Sequence, residues 1–133
     1  MKSKDYRPRL RGNTRIAYDN LIKEERRILV VGDIHAPFSL DGYLEFCQDI
    51  YARFNLNQVV FIGDILDNHY ASYHDTDPNG LGGQDELECA VEQVQEWARA
   101  FPVADVIIGN HDRMVMRKAF SSAVPKEWIK SYN

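Results

Sequence analysis

The chain has 133 residues, of which 44% are hydrophobic and 27% are charged, and its formal net charge is −4. These values are typical of one globular domain, and no apolar run approaches the roughly 20 residues that cross a bilayer. The basic N-terminus has no apolar stretch behind it, so we expect no secretory signal. Cys47 and Cys89 both fall on apolar faces of predicted helices, and we expect buried, reduced thiols in a cytoplasmic protein.

Residues 1–27 form a basic N-terminal arm, and residues 28–133 form the predicted domain. The basic charge of the arm lies within residues 1–15, where the only acidic residue is Asp5: Lys2, Lys4, Arg7, Arg9, Arg11 and Arg15. Two interpretations stay open. The arm is either a frayed, solvated segment or an electrostatic arm for the phosphate backbone of a nucleic acid.

Three apolar runs alternate with amphipathic patterns along the domain. Each run stops at a glycine and predicts a buried strand: 28–31, 59–62 and 106–108. Apolar residues at helical spacing predict three helices: 44–54, 85–100 and 113–120. Strands that alternate with helices predict an α/β fold with a parallel sheet built from right-handed βαβ units.

Each predicted strand is followed by a residue with a side-chain oxygen. Asp33, Asp64 and Asn110 come directly after the three glycines, and the carboxyl ends of parallel strands share one edge of a sheet. We therefore expect these side chains to converge, together with His35, which in an extended segment points the same way as Asp33. His111 follows Asn110 and is local to the site. Clustered carboxylates repel unless a cation neutralises them, and mixed carboxylate and imidazole ligands suit Mn, Fe, Zn, Ni or Co.

These segments resemble the first three sequence blocks of the calcineurin-like metallophosphoesterases. The blocks have the patterns D-x-H, G-D-x-x-D and G-N-H-[DE], and they match Gly32–His35, Gly63–Asp67 and Gly109–Asp112. The resemblance covers roughly residues 28–117 and implies a parallel βαβαβ half of a fold that packs two sheets face to face. The second sheet comes mainly from a C-terminal half that this chain lacks, so the resemblance also implies an exposed apolar sheet face.

The resemblance implies two divalent metal ions, of which manganese is the first expectation. Asp33 and His35 would bind the first metal, Asp64 would bridge the two, and Asn110 would bind the second. A water activated by the metal pair would then attack phosphorus in line with the leaving oxygen.

The same resemblance implies a role for the residues around the third block. His111 would face the phosphate as a transition-state stabiliser or general acid, oriented by Asp67 or Asp112. Many members of the family have Arg after the last Asp of the second block, where this chain has Asn68. Arg113 is a candidate to serve the phosphate instead.

The chain also departs from the family pattern further downstream. The later histidine and the G-H-x-H block are missing, because His111 is the last histidine of the sequence. We therefore expect that a second chain or a missing C-terminal half completes the site. His74, in a loop that is similar to one in phage-type members, is either a solvated residue or a contact to metal or substrate; His69 is a weaker candidate.

The predicted function is a metal-dependent phosphoesterase that hydrolyses phosphodiester or phosphomonoester bonds, including those of a nucleotide or nucleic acid. The alternative is a catalytically incomplete module that acts by binding a partner chain or nucleic acid. The missing histidines favour this alternative, and the presence of every expected residue in the first three blocks opposes it. The motifs do not separate the substrate classes, because they contact metal and phosphate rather than the leaving group.

Overall fold

The computed structural model describes residues 25–129 and, upstream of them, Gly12 and Ile16. The strands and helices follow in chain order: β1 (Ile28–Val31), α1 (Tyr43–Arg53), β2 (Gln58–Phe61), α2 (Gly83–Ala100), β3 (Asp105–Val106) and α3 (Met114–Ser121). Two 3₁₀ turns add to these: His69–Ala71 and Lys126–Trp128. The six basic side chains of the predicted N-terminal arm lie outside the described residues. No helix in this part of the chain is long and apolar enough to cross a membrane.

The three strands form one parallel sheet in the order β1-β2-β3. Val31 pairs with Phe61 and Phe61 pairs with Val106, so the three strand ends lie side by side. This confirms the predicted α/β fold with parallel βαβαβ topology. β3 is shorter than predicted, because β2 ends at Phe61 and the chain bends away at Gly63, where φ is +103°. Ile107 still donates a hydrogen bond to the carbonyl of Phe61 at 2.8 Å.

One face of the sheet is buried against the helices. Leu29, Val31, Val59 and Phe61 alternate along β1 and β2 and belong to a core that includes Cys47, Ala90, Trp97 and Phe101. The indole of Trp97 packs edge-on against Tyr43 and Phe61, with ring centroids 5.3 Å and 5.9 Å apart. Buried aromatic side chains such as these are a main source of stability in a small domain. The core therefore fixes β1 and β2 and, with them, the loops that follow.

The buried side of α2 includes an acidic residue and leaves two apolar residues outside. Glu86, Ala90 and Trp97 are buried, whereas Val91 and Cys89 are exposed. The prediction that both cysteines are buried is therefore wrong for Cys89. Glu86 takes the inner position because its carboxylate accepts a hydrogen bond from the backbone N–H of Tyr70 at 2.9 Å. A buried carboxylate needs such a partner.

The other face of the sheet is apolar and exposed in the described part of the chain. The side chains of Val30 and Ile62 are 57% and 50% exposed, and Ile28 and Ile107 are exposed beside them. In a typical single domain such residues are covered by a second layer. The exposed face is the one that the family resemblance assigns to a second sheet.

Candidate metal centre

The loop after β1 runs alongside the loop after β2, and backbone hydrogen bonds join them. The N–H of His35 donates to the carbonyl of Asp64 at 2.9 Å, and the N–H of Ala36 donates to the carbonyl of Ile65 at 2.8 Å. The N–H of Asp67 donates back to Ala36 at 3.0 Å. The parallel pairing of the strands thus continues past their ends, and it places the first block of side chains against the second.

The backbone at these strand ends is strained. Asp33, His35 and Asp64 have φ values of +52°, +51° and +51°, in the left-handed region that L-residues seldom occupy. The segment from Asp33 to His35 is therefore bent, and the extended geometry expected from the sequence is wrong. The two side chains still meet, because Nε2 of His35 lies 3.8 Å from Oδ1 of Asp33. Each such residue costs about 1–3 kcal/mol, and strain of this kind is concentrated at functional sites.

Two glycines allow the third block to approach the second. A Cβ atom on Gly63 would lie 2.6 Å from the Cα of Gly109. A Cβ atom on Gly109 would lie 2.1 Å from Oδ1 of Asp64 and 2.3 Å from the backbone nitrogen of Asp64. No side chain fits between these backbones, so the contact requires glycine on both sides.

Asp64 and Asp112 brace this contact through backbone N–H groups. Oδ1 of Asp64 accepts from the N–H of His111 at 2.8 Å. The Asp112 carboxylate accepts from Leu66 at 3.0 Å and from Gly109 at 2.8 Å. One oxygen of Asp112 therefore ties the third block to the second at Leu66, and its other oxygen closes the third block on Gly109. Asp67 and Asp112 were the two residues expected to orient the His111 ring. Because both oxygens of Asp112 accept from backbone N–H groups, Asp67 is the residue that remains for this role.

Asp67 lies between the two histidines of the site. Its Oδ1 is 2.7 Å from Nδ1 of His35, and its backbone carbonyl is 2.7 Å from Nδ1 of His111. The two rings meet edge to face, with centroids 4.6 Å apart. Because an oxygen of Asp67 accepts from each Nδ1–H, Nε2 of each neutral ring carries the lone pair and can bind a cation; Nε2 can donate to a phosphate oxygen only when it carries a proton itself.

The donor atoms fall into two overlapping groups in which the atoms lie within 4.8 Å of one another. The first group is Asp33, His35 and Asp64, and the second is His35, Asp67 and His111. Carboxylates at this spacing repel one another unless a cation lies between them. Carboxylate oxygens with imidazole nitrogens form the mixed donor set of divalent transition metals, so the residues of the first group fit such an ion.

The remaining predicted site residues are Asn110, Arg113, His69 and His74. Asn110 is exposed in the turn after β3, next to His111, and Arg113 is exposed at the start of α3. The ring of His69 packs edge-on against Phe38 at 6.3 Å, and His74 is exposed in the long loop. Neither His69 nor His74 belongs to a donor group among residues 25–129.

Two residues of the site were missed in the sequence. Asn68, which replaces the arginine of many family members, donates from its amide to the carbonyl of His111 at 2.9 Å. The Tyr43 hydroxyl donates to the carbonyl of Gly32 at 2.9 Å, directly behind Asp33. The departure of Asn68 from the family pattern was a signal that could have identified it. Tyr43 gave no such signal, because in the sequence it looks like any other apolar residue of an amphipathic helix.

Tyr43 keeps its proton in this position. Burial raises the pKa of Tyr43 above its ordinary value of 10.0, and the neighbouring Cys47 and Asp33 raise it further. The phenol is therefore a fixed, neutral donor that holds the end of β1.

The match to a family profile agrees with this geometry. The profile described as calcineurin-like phosphoesterase matches residues 26–133, which is most of the chain. Searches with the same sequence matched no curated protein and no solved structure. The matched range contains all three strand ends and both donor groups. The chain therefore belongs to the calcineurin-like phosphoesterase family.

Proposed function

We propose that the chain is a metal-dependent phosphoesterase that hydrolyses phosphodiester or phosphomonoester bonds with two divalent ions, of which manganese is the first to test. The observation that carries the proposal is the double anchoring of His35 and His111 on Asp67, with each Nε2 left free. Family membership supports the same chemistry. Divalent ions at this centre would neutralise phosphate oxygens and activate a water molecule for attack.

The protein's own residues divide the work in this proposal. Asp33, His35 and Asp64 hold cations, and Asn110 supplies an amide oxygen at the end of β3. His111 faces the phosphate through Nε2, which in the imidazolium form donates a proton or hydrogen bond to the leaving oxygen, while the backbone of Asp67 holds Nδ1. Arg113, at the start of α3, neutralises a further phosphate oxygen. The free thiols of Cys47 and Cys89 suit a reducing compartment, and we include the cytoplasm in the proposal.

The test is bound metal and turnover measured on the same protein samples. Asp64→Asn is the informative variant, because its amide oxygen can still accept from the N–H of His111 while the carboxylate charge is lost. Asp49→Asn, an exposed change on α1, is the matched control. We expect wild type and control to bind manganese and to hydrolyse bis(p-nitrophenyl) phosphate, and Asp64→Asn to lose both. Turnover that survives in Asp64→Asn would exclude the proposed site.

A second candidate is an incomplete module that binds a partner or nucleic acid. It is favoured by the donor count, because each group among residues 25–129 supplies only three side chains, and His69 and His74 lie outside both groups. A partner chain or a C-terminal half that supplies further histidines would complete the centre. One metal or none per chain, with no turnover, would favour this candidate over the enzyme.

A further inference from the structure

A groove on α3 has a lining that the metal centre does not use. The groove measures about 350 Å³ and lies between α3 and the segment that follows it. It combines cations with apolar side chains: Arg113, Arg117, Lys126, Met116, Phe120 and Ile129. None of the lining residues is acidic, and no ion pair within residues 25–129 involves any of the three cations.

The groove begins at the metal centre. The N–H of Met114 donates to the carbonyl of His111 at 2.9 Å, so α3 starts directly from the third block. Arg113 and Arg117 are four residues apart and lie on one side of the helix. Phe120 lies about 10 Å further along the axis than Arg113, by the rise of an α-helix.

The like charges on this surface destabilise α3. Arginines at i and i+4 repel each other, and a stable helix normally intersperses acidic residues on the same face. Here the chain folds back instead, with the N–H of Val124 donating to the carbonyl of Ala119 at 2.9 Å. This return brings Lys126 to the same groove. Three cations gathered without an acid predict an anionic occupant.

The apolar part of the groove restricts the kind of anion. Phe120 lines the groove and is 85% exposed. Trp128, in the following 3₁₀ turn and outside the lining, is 79% exposed. Exposed aromatic rings beside a line of cations are the components of single-strand nucleic-acid sites, in which bases stack on the rings and cations follow the backbone. A duplex hides its base faces, and inorganic phosphate has none.

We propose that this groove binds a single-stranded nucleic acid as it leaves the metal centre, with Arg113, Arg117 and Lys126 on its phosphates and Phe120 on a base. The inference rests on the proposed function, because it names the substrate class of the same centre. A strand bound along α3 would place its next phosphodiester beside His111.

The test is fluorescence anisotropy of a short labelled oligothymidylate with phosphorothioate linkages, which resist hydrolysis, titrated with the full chain loaded with manganese. Phe120→Ala removes the stacking ring, and the double variant Arg117→Gln/Lys126→Gln removes two cations away from the centre. The matched controls are Phe46→Ala, an exposed aromatic on α1, and Arg99→Gln, an exposed arginine at the end of α2. All variants keep the N-terminal arm, so its contribution cancels.

We expect Phe120→Ala to weaken binding about tenfold, by the usual contribution of one stacked base. The double variant should flatten the plot of log affinity against log salt by about 1.4, since each phosphate contact on a single strand contributes about 0.7. The controls should change neither quantity. Equal weakening by the controls, or no effect of the groove variants, would overturn the inference. So would a groove variant that alters only self-association in sedimentation, because the groove would then be a protein contact.

The two proposals fail separately in this design. Metal-dependent hydrolysis of bis(p-nitrophenyl) phosphate without oligonucleotide binding would overturn the groove and leave the phosphoesterase. Groove-dependent binding without turnover of bis(p-nitrophenyl) phosphate would remove the phosphoesterase and support the groove as the binding site of an incomplete module.

Discussion

Nδ1 of His35 lies 2.7 Å from the Asp67 carboxylate, although the two residues are 32 positions apart in the chain. The contact directs Nε2 of His35 toward Asp33 and fixes the tautomer that can bind a cation. The family resemblance implies that Asp67 or Asp112 orients His111, and the backbone carbonyl of Asp67 does hold that ring. The carboxylate itself lies closer to His35 than to His111, at 2.7 Å against 3.8 Å.

Asp67→Asn should therefore weaken metal binding as well as turnover. The amide keeps the shape of the side chain but loses the charge that makes the His35 ring a better ligand. We expect the affinity for manganese or cobalt to fall about 10–100-fold, the usual effect of removing the carboxylate behind a metal-binding histidine. Isothermal titration calorimetry measures this, with Asp49→Asn as control. Unchanged affinity with reduced turnover would restrict Asp67 to His111.

Gly109→Ala should unfold or severely destabilise the protein, because the new methyl group would overlap the backbone nitrogen of Asp64 at 2.3 Å. We expect a loss of more than about 3 kcal/mol in the free energy of unfolding, measured by urea denaturation. Gly82→Ala is the matched control, since neither glycine has a positive φ and the nearest atom to the new methyl there is 3.4 Å away. The control should lose about 1 kcal/mol or less. Similar losses in both variants would contradict the contact.

The two cysteines should differ in reactivity. Cys89 is exposed, whereas Cys47 is buried and burial raises the pKa of its thiol. Since the thiolate is the reactive form, a disulfide reagent should modify Cys89 rapidly in the native protein and Cys47 only after denaturation. Absorbance of the released thiol group measures both rates. Cys89→Ser should abolish the fast phase; a fast phase that persists would place Cys47 at the surface.

Stability should fall at alkaline pH. The folded-state pKa values of Cys47 and Tyr43 are raised above the ordinary values of 9.0 and 10.0. The folded state therefore binds these protons more tightly than the unfolded state, and the free energy of unfolding decreases as pH rises above about 9 and through the folded pKa values. Thermal unfolding midpoints between neutral pH and pH 11 measure the loss. Tyr43→Phe should reduce the slope above pH 10, and an unchanged slope would contradict the assignment.

Much of the fold was predictable from local patterns. The strands 28–31 and 59–62, the helices near 43–53 and 83–100, and the parallel topology follow from apolar runs and helical spacing. Apolar patterns predict these elements because every side chain of a buried strand that packs against a neighbouring layer must be apolar. The glycine and the residue with a side-chain oxygen at each strand end were also visible, because they are consecutive in the chain.

Only the tertiary structure decided how these residues meet. The sequence did not show that Asp67 lies between two histidines, that Asp112 braces backbone N–H groups, or that Asp33 and His35 are bent into left-handed conformations. It also misplaced Cys89, because α2 carries apolar residues on several sides, and it did not show the buried contact between Glu86 and Tyr70. A contact between residues 16–47 positions apart depends on the path of the backbone between them. Local sequence patterns do not determine that path.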